Sequence, residues 1–212
     1  MLLFLVGISA LGYCGYIVLD ARYYEEDQSK RFDQALSEVR AAGAADVAGT
    51  SPLMPAFVET AGVTTVPSAS TVGENNPLGR IEIASIGLSA MIEEGTSMLA
   101  LRRGVGHITG TALLGDPGNI GVAGHRDTFF RKLRDIHEGD EITLTTLAGS
   151  FVYRVELISI VEPQDSQVLR DSGEKLLTLV TCYPFSFVGP APKRFIVRAH
   201  QVSEAATLSG SN

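Results

Sequence analysis

The amino-acid sequence predicts a mostly β domain, an eight-stranded β-barrel with short helices, preceded by an N-terminal transmembrane helix and a flexible linker. Residues 1–19 carry no charged side chain, close to the roughly 20 apolar residues that cross a bilayer. Residues 41–76 hold 23 Gly, Ala, Ser, Thr or Pro among 36 positions and no Lys or Arg. Residues 77–203 break into short alternating runs separated by turn residues, the pattern of a closed or nearly closed barrel.

Residues 1–19 are expected to form an uncleaved membrane anchor. A cleaved signal peptide would need a basic leading region and a small-x-small cleavage site, and no basic side chain precedes Asp20. Residues 20–40 place Phe32, Leu36 and Val39 at helical spacing, so they extend the anchor as a juxtamembrane helix. The stripe is too thin for a coiled coil, and a solvated stalk is the expected state. Residues 41–76 cannot bury enough surface to offset their ordering entropy and read as a spacer that holds the next domain away from the membrane.

The folded domain, 77–203, carries strand signals at Gly79–Ala84, Leu88–Ile92, Val105–Ile108, Asn119–Gly124, Glu141–Leu147, Phe151–Val161, Leu176–Cys182 and Arg194–Val202. Ala148, Gly149 and Ser150 join two alternating runs as a hairpin. The alternation slips at Leu157–Ile158, which predicts a bulge. Short helices fit Ser97–Arg103 and Thr128–Ile136, each followed closely by glycine. Glu204–Asn212 is expected to be a disordered tail.

Charge excludes one class of function. Residues 1–76 carry net −5 and residues 77–212 net −2. Neither has the basic excess that nucleic-acid binding needs. Two cysteines, 168 positions apart, exclude a disulfide scaffold.

Cys182 is the one thiol of the folded domain and sits where an apolar strand meets a loop. That position is rigid enough to aim a side chain and open enough to admit substrate. A buried cysteine acting as a small hydrophobe is the plain alternative. A catalytic thiol needs a partner for its proton. Among four histidines, His125 ends the run Ile120-Gly-Val-Ala-Gly at another strand-to-loop junction, and Gly121 and Gly124 let backbone pass close to another element. His107 is the competing candidate. His137 looks like a turn residue and His200 a strand-face residue. Arg194 opens the last strand, twelve positions after Cys182, and is the candidate oxyanion donor. Arg126, Arg131, Lys132 and Arg134 read as a solvated helical face.

These residues resemble the sortase family. Thr178-Leu-Val-Thr-Cys182 matches its TLxTC signature, Asn119-Ile-Gly-Val-Ala-Gly-His125-Arg-Asp-Thr-Phe-Phe its histidine segment, and Ala191-Pro-Lys-Arg194-Phe-Ile-Val-Arg its arginine segment. The order of the three and the strand count agree over residues 78–202. The Tyr-Pro-Phe after Cys182 is most like class D. The resemblance implies a membrane-anchored cysteine transpeptidase that cleaves an LPxTG-like sorting signal after its threonine. Cys182 would be the nucleophile, His125 the acid and base, and Arg194 the oxyanion holder. Its partners would be proteins bearing that signal and an amine acceptor, either a peptidoglycan precursor or a protein lysine.

The resemblance also places the domain outside the cytoplasmic membrane. Arg22, Lys30 and Arg31 follow the apolar segment, and the positive-inside rule alone would place it within the cell. A basic segment upstream of Met1 would reconcile the two. No cofactor or metal is expected: Asp116 stands alone before the histidine strand, and Glu162, Asp165, Asp171 and Glu174 read as a solvated acidic loop. An L,D-transpeptidase would carry a Ser-His-Gly-Cys motif, whereas Cys182 follows Val-Thr. A catalytically inactive, membrane-anchored β-barrel binding module is the alternative of a different class.

Overall fold

The computed structural model describes residues 2–47, 77–187 and 189–206. The expected linker therefore lies outside the described residues from position 48 to 76, as does the tail from 207 onward.

The N-terminal segment is one helix, α1 (Leu2–Val47). It runs seven residues into the stretch expected to be linker. At 1.5 Å per residue it is about 69 Å long. Among the described residues no helix is long and apolar enough to cross a membrane. Several side chains of the expected anchor, including all from Tyr13 to Leu19, lie outside the described set.

Among the described residues eight strands follow: β1 (Gly79–Ile83), β2 (Leu88–Glu94), β3 (Val105–His107), β4 (Asn119–Ala123), β5 (Glu141–Thr145), β6 (Gly149–Val161), β7 (Leu176–Tyr183) and β8 (Lys193–Ala206). They close into a barrel in the order β1-β2-β3-β4-β7-β8-β6-β5. The hairpin between β5 and β6 turns at Thr146–Ala148, and Gly149 and Ser150 already pair in β6. The expected bulge falls one residue earlier, where Val155 and Leu157 face the consecutive residues Ala199 and Arg198. β8 extends three residues into the expected tail, and Lys175 pairs with its Glu204.

Two connections are parallel and need crossovers. β2 reaches β3 through α2 (Met98–Arg103), where the Ser97 hydroxyl accepts from the Ala100 amide as N-cap. β4 reaches β7 only after β5 and β6 have been built. The second expected helix is a 3-10 helix, Phe129–Asp135. Alternate residues of the strands fill the barrel: Ile81, Ile83, Ile120, Val122, Leu177, Leu179, Val197 and Ala199 are all buried inside. Phe130 and Leu133 of the 3-10 helix join them.

The expectation of a solvated stalk is corrected. α1 lies against β1 and β2. Phe32 and Leu36 are buried with Met91. Arg80 donates to the Ser29 hydroxyl at 2.7 Å and to Asp33 at 2.8 Å, and its guanidinium stands 5.6 Å from the Phe32 ring. Arg103 of α2 stacks on Tyr24 at 4.2 Å. The thin stripe is thus a docking face, because a charged partner on β1 completes it.

This interface also holds acids. Burial pushes the Glu25 carboxyl up to about 7. Burial also raises Glu93, partly offset by Arg103. Glu26, Lys30 and Arg80 line the same cavity of about 350 Å³. The docked helix therefore binds a proton that an undocked Glu25 has released between about pH 4.5 and 7, so docking weakens as pH rises through that window. Protection factors for the amides of residues 24–36, each corrected for the intrinsic exchange rate at its pH, should be larger at pH 5 than at pH 8. Glu25→Gln should remove most of that difference; an unchanged pH dependence would mean that Glu25 is not a contributing group.

Candidate active site

The site is built by register. β4 and β7 run parallel with Val122 beside Leu179 and Ala123 beside Val180. Two bonds carry the pairing beyond the ladder: the Gly124 amide donates to the Val180 carbonyl at 3.1 Å, and the Thr181 hydroxyl to the Gly124 carbonyl at 2.7 Å. His125 and Cys182 each lie two residues past the last pair. The strands that lead to them lie about 4.8 Å apart, so both residues leave the pair at the same end. On the other side of β7, Cys182 is the direct antiparallel partner of Arg194, a pairing that sets Cβ atoms about 5 Å apart.

Alternation decides which face they share. Leu177, Leu179 and Phe195 point into the core, so Cys182 and Arg194, one residue out of step, take the outer face of the barrel. Cys182 is a free thiol, half-buried, and His125 and Arg194 are half-buried as well. The Arg194 Nη1 donates to the carbonyls of Ala191 at 3.3 Å and Lys193 at 3.0 Å. These contacts use one of the guanidinium nitrogens. Lys193 belongs to the other face and pairs with Glu162 at 3.6 Å.

His107 does not join them. It is buried, with Nδ1 2.8 Å from Glu94 Oε2 and Nε2 2.9 Å from the Ala112 carbonyl and 3.1 Å from the Thr111 hydroxyl. Both ring nitrogens are engaged in tying β3 to neighbouring segments. His137 closes a turn with Asp140, and His200 lies 3.3 Å from Glu156 on the β8–β6 face. The acids of the 162–175 loop have local work as well: Asp165 accepts from the Gln167 amide and Asp171 from the Gly173 amide.

Two supporting ties were not foreseen. The two threonines of the Cys182 strand act as ties. Thr181 holds Gly124, as above, and Thr178 donates to Asn119 Oδ1 at 2.8 Å, while Asn119 Nδ2 donates to the carbonyls of Val168 and Arg170. Polar residues at buried positions of an apolar strand were the signal. The close approach expected at Gly124 is made by Phe130: a Cβ at that position would lie 2.7 Å from its ring.

Arg126 corrects the expectation of a solvated helical face. Only 6% exposed, it donates to the carbonyls of Pro184 at 2.8 Å and Gly189 at 3.1 Å. The residue after His125 thus latches the loop after Cys182. The helical reading failed because the 3-10 helix begins at Phe129. Arg131 and Arg134 do stay exposed and line a cavity of about 330 Å³ with Tyr183, Pro184, Phe185 and Ser186. Lys132 donates to the Gly87 carbonyl.

The fold and site together define a barrel that presents a thiol on β7, a guanidinium on the adjacent β8 and an imidazole in the loop that leaves the adjacent β4. The sortase domain family model matches residues 81–202, and the chain belongs to the sortase family. It is 39% identical over 126 residues to Sortase D of Bacillus subtilis strain 168, covering 59% of this chain and 64% of that one. The match therefore spans less than two thirds of that relative. Among solved structures, a Clostridium perfringens sortase D5 transpeptidase is similar with a TM-score of 0.64 at 25% identity, covering 85% of this chain and 99% of that one. Sortase E of Streptomyces avermitilis is similar with a TM-score of 0.55 at 31% identity, covering 64% and 94%.

Arg126→Ala should leave two loop carbonyls without their charged donor and destabilise the domain by about 2–4 kcal/mol, given roughly 1.5–3 kcal/mol for a hydrogen bond to a charged group. Arg126→Lys should recover only part, since one ammonium cannot reproduce the planar fork. Chemical denaturation of the three proteins checks this; an Ala variant as stable as the wild type would show that the latch is dispensable.

Proposed function

We propose that the protein is a membrane-anchored cysteine transpeptidase that cleaves an LPxTG-like C-terminal sorting signal after its threonine and passes the acyl group to an amine. One observation supports this most: Cys182 faces Arg194 across β7–β8, while His125 follows β4 two residues past the last pair of β4 with β7, as Cys182 does on the β7 side.

In this reading the Cys182 thiol gives its proton to His125, and the thiolate attacks the threonine carbonyl carbon. The carbonyl oxygen gains negative charge, and the Arg194 guanidinium stabilises it where the charge develops. The C–N bond then breaks as His125 gives a proton to the departing glycine amine, leaving a thioester. An incoming amine attacks the thioester and loses its proton to His125, and Cys182 departs as thiolate. The acyl donor is a protein bearing the sorting signal. The acceptor is a peptidoglycan precursor or a protein lysine.

The apolar run 1–19 supports a single-pass anchor in the cytoplasmic membrane. The barrel then acts outside the cell, where sorting-signal proteins and amine acceptors meet.

Steady-state turnover of a sorting-signal peptide, with and without an added amine, tests this reading. The amine should divert product from hydrolysis to transfer. His125→Ala should lose at least about 10²-fold in turnover, whereas a folded His107→Ala should lose much less. Arg194→Ala should lower kcat/KM by roughly 10²–10³-fold; Arg194→Lys should regain part of it, and Lys193→Ala should change little. Reversed histidine effects in folded variants, or an Arg194→Ala variant within a few-fold of wild type, would contradict the assigned roles.

A further inference from the structure

The docked helix fixes more than the barrel's stability. β1 begins beside Ser29 and Asp33 of α1, so the barrel lies alongside the helix and not beyond its end. The barrel occupies α1 from Tyr24 to Leu36. Tyr24 lies five residues past Leu19, the end of the uncharged run, which is about 7.5 Å along a helix. The headgroup layer on each side of a bilayer is roughly 5–8 Å deep. The part of the domain that touches Tyr24 therefore falls at the level of the headgroups.

That part is α2. Arg103 stacks on Tyr24, and Leu99 stands one turn before it on the same face. Met98 is 75% exposed and Leu99 54%, and Arg102 is exposed beside them, three and four residues on from Leu99 and Met98. Tyr23, next to the contact, is 76% exposed, as suits an aromatic ring at a membrane interface. Two large apolar side chains flanked by a cation and a tyrosine match a surface that is apolar beneath and anionic at its phosphates.

We propose that α2 is a lipid-contact surface: Met98 and Leu99 enter the headgroup layer of the bilayer that holds the anchor, and Arg102 meets the lipid phosphates. This rests on the anchor reading above. The barrel then works directly at the bilayer and is not carried on a leash. The active site keeps its access, because β1 and β2, which hold the helix, lie across the barrel from β7.

The test uses the full chain in vesicles of phosphatidylcholine and phosphatidylglycerol, with Cys14→Ser and Cys182→Ala so that one introduced thiol carries a fluorophore. The single-cysteine variants are Ile8→Cys, Ser37→Cys, Met98→Cys and Leu99→Cys, and the lipids carry quenchers at headgroup or mid-chain depth. Ser37 lies about 27 Å past Leu19 along the helix and serves as the solvent reference. The expected result is mid-chain quenching at position 8, with headgroup quenching at 98 and 99 severalfold above that at 37. Quenching at 98 and 99 no stronger than at 37, with position 8 quenched, overturns the lipid contact and leaves the anchor intact. An unquenched position 8 overturns both.

Discussion

The parallel pairing of β4 with β7 is the constraint on which the rest of the site depends. It is closed at its end by the 2.7 Å bond from the Thr181 hydroxyl to the Gly124 carbonyl. Together with the bond from the Gly124 amide to the Val180 carbonyl, it keeps two strand ends of unrelated sequence from fraying and holds His125 and Cys182 at the same end of the pair. With it, β7 becomes the middle strand of three. Its neighbours then deliver an imidazole from one side and a guanidinium from the other.

Each further tie acts on the same geometry. Thr178 and Asn119 secure the start of the strand pair and the loop above it. Arg126 secures the loop beyond Cys182 from the residue beside His125. A charge this deeply buried is tolerated because its fork finds two carbonyls and its Nε approaches Asp127. The aromatic group of Tyr183, Phe185 and Phe195 packs alongside, with ring centroids 5.1–6.2 Å apart. Thus the Cys182 thiol stands on a braced strand at the mouth of a loop, a position that combines fixed aim with access.

The strands were legible because half-buried strands alternate, and all eight were expected within a few residues of their observed ends. His125, Cys182 and Arg194 were legible as residues at strand-to-loop junctions and as a motif. Twelve positions between Cys182 and Arg194 leave room for a loop back to an antiparallel neighbour, so their pairing was within reach of the sequence, as the register bears out; the placing of His125 beside them was not, since alternation tells which face a side chain takes but not which distant strand lies beside it. β4 and β7 are separated by two intervening strands, and only the folded register reveals the pair. Arg126 was misread because an arginine between a histidine and a helical run looks solvated until its carbonyl partners, 58 and 63 residues away, are in place. The docking of α1 was hidden in the same way: Phe32 and Leu36 were visible, but Arg80 and Met91, which complete the interface, lie beyond the intervening segment.

The account requires Cys182 to carry the acyl group between the two halves of the reaction. Mass spectrometry of the full-length protein, quenched in acid during turnover of a sorting-signal peptide, tests this most directly. A covalent adduct with the mass of the peptide up to its threonine, confined to the fragment containing Cys182 and released by an added amine, is the predicted result. Turnover without such an adduct, or turnover that persists in Cys182→Ala, would contradict it.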